Sequence, residues 1–133
     1  MKPLQRVAFI GNHLPRHCGI ATFTHDLHRA VSTARPDLET CVVAMNDPGG
    51  GYDYPAAVRF QIAEETTDGY VGAADFLNTE RFDVVCLQHE YGIFGGEAGG
   101  HIIELLKRLD YADRYDASHG APSADAGPVQ RHF

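Results

Sequence analysis

Apolar residues along this chain come in short blocks whose period changes from one block to the next. RVAFIG (Arg6–Gly11) is a compact apolar run closed by a turn, the pattern of a buried strand. From Gly19 to about Ala34 the spacing is helical. Ile20, Phe23, Leu27, Ala30 and Val31 share one face, and Thr24, His25, His28 and Arg29 fall largely elsewhere. Pro36 closes that helix. LETCVVAM (Leu38–Met45) predicts a second strand, and the alternating VRFQI (Val58–Ile62) a third, more exposed one. Between them NDPGGGYDYP, with three successive glycines and two prolines, predicts a long turn. Asp68 stands where it would cap a helix reaching about Asn78, with Tyr70, Val71, Ala74 and Leu77 inward. FDVVCL (Phe82–Leu87) predicts a fourth strand and HIIELLKRL (His101–Leu109) a last helix.

Strands alternating with helices predict an α/β fold, a Rossmann-like parallel sheet with helices on both faces. In such sheets ligands bind at the carboxyl ends of the strands. Two unusual loops lie at those ends, Asn12 to Gly19 after the first strand and His89 to Gly100 after the fourth. Beyond Leu109 the periodicity stops, so residues 1–109 read as one domain and 110–133 as an irregular tail.

Composition narrows the function classes. The 133 residues carry a net charge of −7 and no basic run, which argues against binding nucleic acid by phosphate neutralisation. No stretch approaches a transmembrane segment or a signal peptide. The three cysteines, Cys18, Cys41 and Cys86, match no metal or redox spacing. Cys41 and Cys86 sit in apolar runs and read as small buried hydrophobes, and a cytoplasmic location is the expectation. Eight histidines invite a zinc reading, but none shows a ligand-like arrangement, and His25 and His28 read as a solvated helix face.

The first loop, GNHLPRHCGIATF, is neither a dinucleotide fingerprint nor a P-loop. It is a glycine at a helix start. Gly19 lets backbone approach a ligand, the first-turn N–H groups favour an anion, and Arg16 and His17 add positive charge. An ordinary strand-to-helix turn explains the same residues. In the second loop, VVCLQHEYGIFGGEAGG, a polar triplet follows the strand and five glycines follow the triplet. His89 offers a donor to a sugar or phosphate oxygen; Glu90 offers a carboxylate for a hydroxyl or a cation. Both are the catalytic candidates. Gly95 and Gly96 permit close backbone approach to a ligand. A plain polar strand end and a flexible loop remain the alternative.

Together, RVAFIGNHLPRHCGIATFTHDL and FDVVCLQHEYGIFGGEAG resemble the N-terminal domain of family 4 retaining glycosyltransferases of the GT-B fold, over about Arg6 to Leu109. The resemblance implies an acceptor-side domain facing a separate C-terminal donor-binding domain, with a nucleotide-sugar as co-substrate, a sugar or glycan acceptor, and no metal or other cofactor. It implies phosphate binding around Arg16, Cys18, Gly19, Gly95 and Gly96, and contact of the reacting sugar near His89. Cys18 stands where the family commonly has a glycine. The basic and acidic pairs of the family's donor half have no counterpart in this chain, so the expectation is a truncated enzyme with little activity alone. The family also places a strand and a histidine soon after the last helix. A one-base shift of one permitted coding of Asp110 to Pro122 yields such a peptide, and the tail is read as out of frame. Two rivals stand beside this reading: a non-enzymatic Rossmann-like module for a nucleotide or phosphorylated ligand, and a non-functional remnant.

Overall fold

The computed structural model describes residues 3–89 and 92–110, and the backbone of residues 131–132. The elements run β1 (Arg6–Gly11), α1 (Gly19–Ala34), β2 (Glu39–Asn46), β3 (Val58–Ala63), α2 (Thr67–Thr79), β4 (Val84–Leu87), a 3₁₀ turn (Glu97–Gly99), α3 (His101–Arg108) and β5 (Arg131–His132). The strands form one sheet in the order β3-β2-β1-β4-β5, and all pairings are parallel. The α/β Rossmann-like expectation therefore holds. The rest of the predicted tail lies outside the described residues; two of its residues, Arg131 and His132, pair with Val85 and Cys86 as β5.

Alternation along the strands divides the core. Ala8, Ile10, Cys41, Val43 and Met45 face α2 and α3, burying Tyr70, Ala74, Leu77, Leu105 and Phe82 with them. Val7, Phe9 and Val42 face the other way, against Leu27 and Val31 of α1. The two layers follow from the strand order. From β1 to β2 the chain moves one way along the sheet; from β3 to β4 it moves back, and right-handed crossovers then put α1 and α2 on opposite faces.

Two sequence expectations shift. Asp68 lies in the first turn of α2, and Thr66 is the N-cap; the carboxylate still favours the positive end of the helix. The inward face of α1 is also rotated. Ala21 and Thr24 are buried, whereas Phe23 is 54% exposed and Ala30 is exposed. The cause is Gly11. A Cβ there would stand 2.8 Å from Thr24 Oγ1 and 3.0 Å from Gln88 Cβ, so the helix comes closest to β1 at Thr24. The Thr24 hydroxyl is satisfied within the helix by Ile20 O at 2.8 Å.

Candidate functional site

β1 and β4 are neighbours, with Ile10 paired to Leu87, so the loops that follow them leave the same rim of the sheet. Gln88 N–H donates to Ile10 O (2.8 Å), carrying the ladder one residue past β4. The two chains then part. The one after β1 enters α1 on one face, and the one after β4 enters α3 on the other. This is the point where the strand order reverses, the place at which ligands bind in open α/β sheets.

On the β1 side, Asn12 and His13 are each only 1% exposed. Asn12 Oδ1 accepts from Arg16 Nη1 (3.1 Å), and Asn12 Nδ2 donates to Cys18 Sγ (3.3 Å). Cys18 is the N-cap of α1, and its thiol accepts the Ala21 N–H at 3.4 Å. A soft sulfur acceptor thus does the work usually given to a serine or aspartate oxygen. The N–H groups of Gly19 and Ile20 donate to no atom among the described residues, and no atom stands within 4 Å of where a Cβ on Gly19 would lie. Two donors and the positive end of a sixteen-residue helix therefore face open space at the rim.

The histidines depart from the expected solvated face. His13 Nδ1–H donates to Leu14 O (2.9 Å), its Nε2 is buried without a hydrogen-bond partner, and its ring meets His25 edge-on at 5.4 Å. His28 Nε2 lies 2.9 Å from Thr40 Oγ1 and its ring meets Phe9 edge-on at 5.6 Å. The rotation of α1 that buries Thr24 carries His28 inward with it, since the two lie one turn apart on the same face. Burial pushes the pKa of His13 and of His28 down. Among the described residues no group of three histidine, cysteine or acidic side chains is placed to hold a metal ion.

On the β4 side, Gln88 is buried and His89 is exposed, its ring 5.7 Å from that of Phe94. Glu90 lies outside the described residues, as does Tyr91. Ile93 and Phe94 turn down into the core. Gly95 N–H donates to Tyr70 Oη (2.9 Å), whose own hydroxyl donates to Glu64 O (3.0 Å). A Cβ on Gly95 would stand 1.8 Å from Glu64 O, and one on Gly96 2.6 Å from His101 Nδ1. Packing against the β3–α2 connection and α3 thus accounts for glycine at both positions. The structure brings Arg16, Cys18 and Gly19 together at one rim with His89, and uses Gly95 and Gly96 to seat the second loop.

Tyr70 is fully buried and its one hydroxyl serves two backbone groups. Tyr70→Phe is expected to cost about 1–3 kcal/mol, because it strands both partners. Chemical denaturation would measure it, and an unchanged midpoint would show that the loop is held by other contacts.

No family model, curated protein or solved structure matches this chain. The site therefore stands on its own geometry. No helix among the described residues is long and apolar enough to cross a membrane. Sequence reasoning placed Tyr70 inward on α2 but missed that its hydroxyl joins Glu64 O to Gly95 N–H.

Proposed function

We propose that this chain is the acceptor-side domain of a retaining glycosyltransferase that uses a nucleotide-sugar donor. One observation carries the reading. At the reversal of strand order, the loops after β1 and β4 diverge to opposite faces, and the open N-terminus of α1 sits in the gap. Sugar transfer with retention builds negative charge on the departing phosphate and positive charge on the sugar. Fixed N–H donors at Gly19 and Ile20 suit the first. His89, exposed at the same rim, is suited to contact the sugar. The motifs that resemble family 4 enzymes coincide with these two loops.

Amide chemical shifts of the ¹⁵N-labelled chain, followed on addition of UDP-glucose or GDP-mannose, test the reading. The largest changes are expected at Gly19, Ile20 and Gln88. A folded spectrum that is unmoved, or changes confined to the opposite rim, would overturn it.

A further inference from the structure

The amino-end rim of the sheet, opposite the site described above, carries a cleft of about 340 Å³. Gln5 and Arg6 line it from the start of β1, Thr79, Glu80 and Arg81 from the end of α2, and Asp83 from just before β4. Most of the charge around it is already paired. Arg6 Nη2 bonds both Glu39 and Glu80, and the Arg6 guanidinium lies over the Phe82 ring at 5.1 Å. Arg59 Nη2 donates to the same Glu80 oxygen at 2.9 Å. Two guanidiniums thus balance two carboxylates. Asp83 Oδ2 accepts the N–H groups of Gln5 (3.0 Å) and Arg6 (2.9 Å), tying the start of β1 to that of β4.

Arg81 and the second oxygen of Asp83 remain. Asp83 Oδ1 accepts from no described residue, and the Arg81 side chain makes no hydrogen bond or ion pair with any described residue. Both line the cleft, yet no ion pair joins them. Arg81 also stands where the backbone disfavours it. Phe82 N–H donates to Leu77 O (3.2 Å) and Arg81 N–H to Asn78 O (3.1 Å), so α2 ends in a Schellman turn. The turn holds Arg81 at φ 57°, in the left-handed region where glycine is the ordinary residue. A side chain costs stability there, and an unpaired guanidinium does not offset that cost. Residues held in such conformations cluster at ligand sites.

We propose that this cleft binds a small zwitterion, an α-amino acid with a short side chain. Arg81 takes the carboxylate, and Asp83 Oδ1 takes the ammonium. The negative end of α2, at Thr79 and Glu80, favours the ammonium as well. An anion alone would leave Asp83 unmatched and a cation alone would leave Arg81 unmatched, so a singly charged ligand gains only half of the interaction. The cleft shares no residue with the carboxyl-end rim, so this ligand is distinct from anything bound there, and the inference stands apart from the glycosyltransferase reading.

The test is a titration of the ¹⁵N-labelled chain with glycine and L-serine, and with propionate, ethylammonium and inorganic phosphate as singly signed probes. Saturable shifts with the two amino acids are expected at Gln5, Thr79, Arg81 and Asp83, with a Kd in the millimolar range, while Gly19 and Ile20 stay unmoved. Each singly signed probe should bind about tenfold more weakly or worse. Arg81→Gly separates a ligand role from a structural one. It relieves the left-handed position, so Tm should rise by about 3 °C, while amino-acid binding weakens about tenfold or more. Asp83→Asn keeps one oxygen for the Gln5 and Arg6 N–H groups and turns the other acceptor into a donor, and it should weaken binding to a similar extent. Three results would overturn the site: no saturable shift at about 50 mM amino acid, phosphate binding as tightly as L-serine, or an Arg81→Gly protein that binds like the parent. A clear fall in Tm for Arg81→Gly would also overturn it, since Arg81 would then be serving the fold.

Discussion

Gly95→Ala is expected to destabilise the domain by about 3 kcal/mol or more, enough to lower Tm by roughly 10 °C or to prevent folding. The new Cβ would lie 1.8 Å from Glu64 O and 2.8 Å from Glu64 C, both backbone atoms. Neither has a cheap way to retreat. Glu64 is held on both sides, by its N–H on Asn46 O and by Tyr70 Oη on its carbonyl. Moving Gly95 instead breaks its own N–H bond to Tyr70 Oη and lifts the buried Ile93 and Phe94 from the core. Gly19→Ala is the matched control, because nothing lies within 4 Å of its new methyl and alanine suits a helix start as well as glycine does. Its stability should stay within about 1 kcal/mol of the parent. Thermal denaturation of the two variants decides the matter. A Gly95→Ala protein as stable as the parent would mean that the second loop is not seated on the β3–α2 connection. Near-normal stability with loss of ligand binding would restore Gly95 as a ligand contact.

Acid should weaken the fold in the range set by its histidines. His13 and His28 are held neutral, with burial pushing both pKa values below the ordinary 6.5. In the unfolded chain both titrate near that ordinary value, so between the folded and unfolded values the unfolded state binds more protons. Their contribution to stability is therefore complete above about pH 6.5 and is lost as pH falls toward the depressed folded values. Each histidine contributes about 1.4 kcal/mol for every tenfold difference in proton affinity between the two states. Proximity adds to the effect: His25 lies against His13, and charge on any of the three opposes charge on its neighbours. Urea midpoints at about pH 7.5 and about pH 5.5 should differ clearly. His13→Asn, which keeps a donor for Leu14 O, should flatten the dependence. Equal midpoints at the two pH values, or an unchanged slope in His13→Asn, would refute the account.

How much was legible in the chain can be judged from particular residues. β1 was located to the residue, and α1 from Gly19 to Ala34, because an apolar run closed by a turn and a 3.6-residue repeat are local signals. The parallel order and the shared rim followed from alternation of strands and helices. The face of α1 was not legible in the same way. Phe23 is more apolar than Thr24, yet Thr24 is buried because Gly11, thirteen positions earlier, leaves the space that its hydroxyl fills. Gly95 and Gly96 read equally well as ligand contacts or as packing, and only the position of Glu64 and His101 separates the two.

The sequence by itself determined the element types, their order and the rim on which the two motif loops emerge, since each depends on periodicity within a few residues or on the handedness of a crossover. The tertiary structure alone decided which side chains meet there. Arg16 reaching Met45 O, Tyr70 bridging Glu64 and Gly95, and His13 settling against His25 are contacts between segments brought together by the sheet. Such meetings depend on the fit between packed surfaces, several of them distant in the chain, and no local pattern encodes that fit.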